Sequence, residues 1–187
     1  MSKKQKLILL TITLSLILLS VGLSFAFFTS INNNESASTL YAKGGTMNIK
    51  YANGSGNIVM ENIYPRAAAW VNKSFTVTGN NTSPLKMNYY VGMDVETSDF
   101  PDGALTYTLS GSKTDTGSTL VPAITAGTIP SGKSKVYFGV GQFINGYAIH
   151  TYTLKIFYPD IAENQNNEQG SIFKAKLFIE QAGTGEI

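Results

Sequence analysis

Apolar and polar residues alternate with a period of two along most of the chain beyond residue 45, the pattern of strands with one buried and one solvated face. "TMNIKY" puts Met47, Ile49 and Tyr51 on one side, and "KSFTVTG" pairs Phe75 with Val77. The clearest run, "LKMNYYVGMDV", aligns Leu85, Met87, Tyr89, Val91, Met93 and Val95. "LTYTL" repeats the pattern with Leu105, Tyr107 and Leu109, and "KVYFGVGQF" is a more continuous apolar strand. "IHTYTLKIFY" aligns Tyr152, Leu154, Ile156 and Tyr158, and "SIFKAKLFIE" turns Phe173, Ala175, Leu177 and Ile179 inward. The spacing of three and four residues that an amphipathic helix needs is scarce. Stretches such as "ANGSG", "TGNNTSP", "SDFPDG", "SGSKTDTGS", "IPSGK" and "AENQNNEQG" separate the runs. They are dense in residues that accept tight-turn angles or bond their own backbone. Eight or so strands at this spacing predict an all-β domain over residues 46–187. The expected form is a two-sheet antiparallel sandwich of jelly-roll type, which leaves fewer long edges than an open sheet.

The first 26 residues follow another rule. Lys3, Lys4 and Lys6 precede an unbroken apolar run from Leu7 to about Gly22. Positive charge before such a run holds that end on the cytoplasmic side while the rest crosses, so residues 1–26 read as a hydrophobic signal helix. The run is at the short limit for a span, which needs ~20 residues, and contains Thr11, Thr13, Ser15 and Ser20. Ser24 and Ala26 put small side chains at the third and last positions before a cut, which suits the shallow pockets of a signal peptidase and places cleavage before Phe27. The other reading is an uncleaved anchor. On the first reading the chain is secreted and stays associated with the cell surface. Its membrane contact is then limited to this segment before cleavage, with a signal peptidase as partner.

Cleavage changes the charge. Of 187 residues, removing 26 leaves 161, and three of the fourteen Lys and Arg go with none of the twelve Asp and Glu, turning a formal +2 into −1. A slightly acidic chain has no basic surface for nucleic acid. The absence of cysteine excludes disulfides, thiolate metal sites, a cysteine nucleophile and a lipid-modified cysteine.

Candidate chemistry is sparse. The one histidine, His150, lies in "YAIHTYTL" on a predicted strand with no carboxylate near it in sequence, and reads as an ordinary strand position. No serine sits in a Gly-x-Ser-x-Gly turn or a Ser-x-x-Lys helix. Asp94, Glu96, Asp99 and Asp102 in "MDVETSDFPDG" offer oxygen ligands to calcium, but without EF-hand spacing they read as a solvated turn. Trp70 in "RAAAWVNKSF" reads as sheet packing ahead of a glycan-stacking platform. No cofactor is expected.

The Lys-rich start, the apolar run ending "SFAFFTS", and then "GGTMNIKY", "NIYP", "KSFTVTGNNTSPLKMNYYV" and "NNEQGSIFKAKLFIEQA" resemble the TasA/camelysin family of bacterial matrix proteins, whose signal peptides are of the SipW-dependent type. The resemblance implies a jelly-roll subunit of extracellular fibres or biofilm matrix that passes an N-terminal strand to its neighbour. Some relatives are described as metallopeptidases, yet a zinc protease needs several imidazole or carboxylate ligands plus a base, and no such set is visible, so an enzyme is not expected. Residues 27–45 form the expected flexible N-terminal segment. It leads with Phe27 and Phe28 and carries Ile31 and Leu40, four apolar anchors for an extended strand that completes a sheet edge on the next copy. Self-association into fibres is the expected partnership. The alternative is a monomeric cell-surface binding module or adhesin, with glycan as a candidate ligand.

N-terminal sequencing of the exported protein should begin at Phe27. Ser24→Leu with Ala26→Leu should abolish processing, because both side chains overfill the peptidase pockets; an unchanged cleavage pattern in that variant would reject the site.

Overall fold

The computed structural model describes residues 4–5, 37–42, 45–52, 55–161 and 163–182. Ten strands follow one another: β1 (Ala37–Ala42), β2 (Gly45–Tyr51), β3 (Asn57–Met60), β4 (Val71–Asn81), β5 (Met87–Ser98), β6 (Thr106–Lys113), β7 (Ile124–Thr128), β8 (Ser134–Phe143), β9 (Gly146–Phe157) and β10 (Phe173–Gln181). A single 3-10 turn, Asn166–Glu168, is the sole helical element between β1 and β10 among the described residues. The sheets lie within the unit Asn32–Ile187. One sheet runs β1-β2-β4-β9-β6-β7 and the other β3-β10-β5-β8, and every strand pairing is antiparallel.

The alternation explains the layers. Met47, Ile49 and Tyr51 of β2, Phe75 and Val77 of β4, Met87 to Val95 at every second position of β5, and Tyr152, Leu154 and Ile156 of β9 are all buried. With Phe173, Ala175, Leu177 and Ile179 of β10 they make one core between two sheets in a sandwich-like arrangement. The Tyr51 hydroxyl crosses from the first sheet to donate to the Leu177 carbonyl of the second at 3.1 Å, and its burial pushes its pKa up to about 12. Gly79 of β4 lies so close under Phe143 that a Cβ there would meet the ring at 2.4 Å. Turns fall where the sequence signals them, with Gly103, Gly132 and Gly170 at positive φ.

Leu85 departs from expectation. It is 63% exposed and precedes β5 instead of joining its inward face. Local side-chain bonds close the turn first: Ser83 N–H donates to Asn81 Oδ1, Leu85 N–H donates to Ser83 Oγ, and Asn81 Nδ2 donates to the Leu85 carbonyl. Three strands carry too short or too polar a pattern to be singled out by alternation: β1, β3 and β7. β1 includes Leu40, one of the candidate donor residues, which stands opposite Met47 in register with the chain's own β2. Thr39 and Tyr41 are good strand formers, and the pairing of β1 with β2 places part of the expected flexible segment in a sheet. Apart from residues 4–5, the signal segment lies outside the described residues, as do Ser24, Ala26, Phe27, Phe28 and Ile31.

Gly79→Ala should destabilise the fold by about 1–3 kcal/mol, because the added methyl must displace the Phe143 ring. Urea denaturation reads this directly; a neutral result would mean that the ring moves at no cost.

Candidate functional site

The chemistry of this chain gathers on one buried line of hydrogen bonds that runs across both sheets. His150 and Tyr152 project inward from β9, at alternate positions of one strand, and Tyr89 projects from β5 of the other sheet. All three are fully buried. Tyr89 Oη lies 2.7 Å from Tyr152 Oη and 2.5 Å from His150 Nδ1. On the far side of the ring, His150 Nε2 lies 2.6 Å from Ser118 Oγ, and Ser118 Oγ in turn bonds Asp115 Oδ1. The Val121 N–H closes the other end by donating to Tyr152 Oη at 3.0 Å.

Both ends of this line have a fixed role, so its direction is determined. A carboxylate only accepts, so Ser118 donates to Asp115 and must accept from His150 Nε2–H. The neutral ring then accepts at Nδ1 from Tyr89, and Tyr89 accepts from Tyr152, whose oxygen takes the Val121 N–H. Every donor meets one acceptor. The network assigns the Nε2–H tautomer to His150, and burial holds its pKa down to about 4, with the Lys113 charge acting in the same direction and Asp115 opposing. Burial likewise pushes the Tyr89 hydroxyl well above the usual phenol range and raises that of Tyr152. Phe143 of β8 stacks on the imidazole at a centroid distance of 4.3 Å, so apolar contacts guard the line from water.

The outer end of the line is a loop, residues 114–123, that connects β6 to β7. Asp115 Oδ2 accepts the backbone N–H of Gly117 at 3.1 Å and of Ser118 at 2.7 Å, and the Ser118 hydroxyl leads the bonds that hold the carboxyl below its usual pKa. Lys113 Nζ donates to the carbonyls of Thr116 and Ser118. The sequence marked "SGSKTDTGS" as a turn between two strands; the Asp-x-Gly-Ser spacing, in which one carboxylate caps two backbone N–H groups, is the further signal it carried. His150 is a strand position as expected, but its side chain is the centre of this network. As for nucleophilic chemistry, the histidine nitrogen that faces Ser118 carries a proton and cannot take the serine's, and Ser118 is buried.

The other candidates separate in space. Asp99 accepts the Ile172 N–H at 3.1 Å and Asp102 accepts the Ser131 N–H at 2.6 Å, while Asp94 stands opposite Lys135 and Lys176 in its sheet. Among the described residues no group of three or more His, Cys, Asp or Glu could hold a metal ion. Trp70 is half-buried, with the Arg66 guanidinium 3.6 Å above its ring and its indole N–H donating to the Tyr64 carbonyl at 3.0 Å, so one face is already covered. Beside it a cleft of about 90 Å³ is lined by Tyr64, Tyr158, Gln165, Asn166, Glu168 and Gln169 among others. Tyr158 donates to Glu168 across it at 2.5 Å, and burial followed by that carboxylate raises the Tyr158 pKa. No protein-family model, curated protein or solved structure matches this chain.

The network makes stability depend on pH. Between about pH 6.5 and 4 the unfolded chain takes up a proton at His150 that the folded chain refuses, so stability should fall as pH falls through that window, by up to about 1.4 kcal/mol per pH unit. Urea midpoints taken at half-unit steps should show this slope, and His150→Phe should remove it; an equal slope in that variant would assign it to other groups.

Proposed function

We propose that this chain is a secreted structural subunit of extracellular fibres or biofilm matrix, a sandwich of jelly-roll type that assembles when the N-terminal segment of one copy completes a sheet edge of another. The observation that carries this reading is that both sheets are open: β1, β7, β3 and β8 each have a hydrogen-bonded strand on one side only among the described residues. An open edge is a row of unpaired N–H and C=O groups, and an extended segment added to it gains a full ladder. The supply of such a segment is also favourable. Residues 27–36 lead directly into the edge strand β1 and begin with two phenylalanines that have a strong incentive to leave water. A head-to-tail contact of this kind propagates into a filament when its rotation does not close a ring.

A second reading, a monomeric cell-surface module that binds glycan, is favoured by Tyr64, 60% exposed beside the cleft that holds Gln165, Asn166, Glu168 and Gln169. An aromatic ring flanked by amides and a carboxylate suits a neutral sugar. Assembly state separates the two.

Electron microscopy of the exported chain beside a size-exclusion trace should show filaments in equilibrium with monomer. Phe27→Ser with Phe28→Ser should shorten them strongly, since each ring contributes about 2–3 kcal/mol to a junction when buried. A strictly monomeric chain at all concentrations would favour the glycan module.

A further inference from the structure

Of the four strands that end a sheet, β8 is the longest, ten residues against six for β1, four for β3 and five for β7. β7 also has a break in its register with β6. The outer side of β8 is bonded by backbone at one residue among those described: Thr119 and Gln142 exchange both N–H···O bonds, each at 2.8 Å. The same loop continues along this side, with Val121 and Pro122 packed so close to Gly139 that a Cβ there would meet either at 3.2 Å. Beyond that contact, β8 presents Lys135 exposed and Tyr137 48% exposed, and no loop bonds its backbone among the described residues.

The cover is held from one side chain away. Ser118, next to Thr119, is the residue that ties the loop to His150, and Asp115 caps the Gly117 and Ser118 N–H groups that shape the approach. Ser118 against the imidazole and Thr119 against Gln142 are adjacent contacts of one loop. Lysine on an edge, a bulge and a covering loop all discourage unwanted pairing, and β8 has all three, since its register shifts between Val91 and Gly92 of β5. The cover is held by neutral hydrogen bonds, Ser118 to His150 and the Val121 N–H to Tyr152, and by the buried Val121 side chain; it differs from a sheet strand because a loop opens locally without unfolding the sheets.

We propose that the β8 edge is the acceptor for residues 27–36 of a second copy, and that the loop of residues 114–123, latched by Ser118 to His150, is a releasable cover over it. This rests on the strand-donation reading and names its acceptor. The occupant is argued from length and position: residues 27–36 are as long as β8 and lead directly into β1, so a segment of matching length precedes an edge strand. An incoming strand competes with Thr119 for Gln142 and gains the open backbone on the rest of β8.

A cysteine-free chain allows a clean test. In a hydrogen-bonded antiparallel pair the Cα atoms stand about 5.5 Å apart, inside the range that a disulfide spans. Thr119→Cys with Gln142→Cys, in the full exported chain, therefore locks the cover when oxidised and frees it when reduced, and the reduced form of the same variant controls for the lost Gln142 side chain. The oxidised form should stay monomeric with filament nucleation reduced at least about tenfold, and a reductant should restore it. Equal assembly in the two redox states overturns the proposal. A fluorescent peptide of residues 27–36 reads the acceptor without filaments: it should bind the reduced form at least about tenfold more tightly than the oxidised form. If no form makes filaments, the fibre reading fails, while the peptide still decides the acceptor; equal binding, or none, to both forms overturns it. Ser118→Ala should speed amide exchange at Thr119 and Gln142 by about tenfold and leave the β9 core amides unchanged, whereas uniform loss of protection would make Ser118 a general stability residue and reject the latch.

Discussion

A neutral histidine sealed between two sheets must find one donor and one acceptor, and this requirement organises much of the domain. His150 meets it by taking Tyr89 from the opposite sheet on one side and Ser118 from a loop on the other. Each partner transmits the demand: Tyr89 needs Tyr152, Tyr152 takes the Val121 N–H, and Ser118 ends on Asp115. Leaving any buried member unpaired costs about 1–3 kcal/mol, so the chain acts as one unit and not as separate bonds. It thereby couples β5, β9 and the loop of residues 114–123.

The apolar core supplies the dry surroundings that make such a line worth having. Phe143 stacks on both His150 and Tyr89, and Phe75 stacks on Tyr152, so the polar atoms sit inside a sleeve of rings. Glycines make room for those rings: Gly79 under Phe143 and Gly141 under Tyr89 leave no space for a side chain. Large rings over bare backbone give close sheet contact at the cost of strand propensity. The arrangement has its own electrostatic consequence, since burial disfavours charge on the histidine and on both tyrosines.

Open edges and a guarded interior have opposite roles. The interior needs cooperation across sheets, while the edges need only backbone groups and an approach path. A loop that belongs to both, bonded to His150 through Ser118 and to β8 through Thr119, is where the two roles meet. On the proposed function, association between copies is governed there and not by the surface at large.

Period-two alternation determined six of the seven long strands and their inward residues, and a continuous apolar run marked the seventh, β8, because burial of one face and hydration of the other is a local code that each strand carries by itself. Turn residues marked their ends for the same reason. The short strands β1, β3 and β7 were illegible, since four to six residues with a mixed pattern become strands only when a neighbour supplies the ladder. Leu85 shows the limit of the code within a single run: its period is right, but bonds from Asn81 and Ser83 end the turn after it. Of the buried network, the sequence located His150, Tyr89 and Tyr152 as strand positions and nothing more. Their meeting depends on residues 61 and 63 positions apart in the chain facing each other across two sheets, and on a loop 32 residues from His150 that carries Ser118. No local pattern encodes such distances; only the packing of the sheets decides which polar atoms share the interior and which hydrogen bonds they must make.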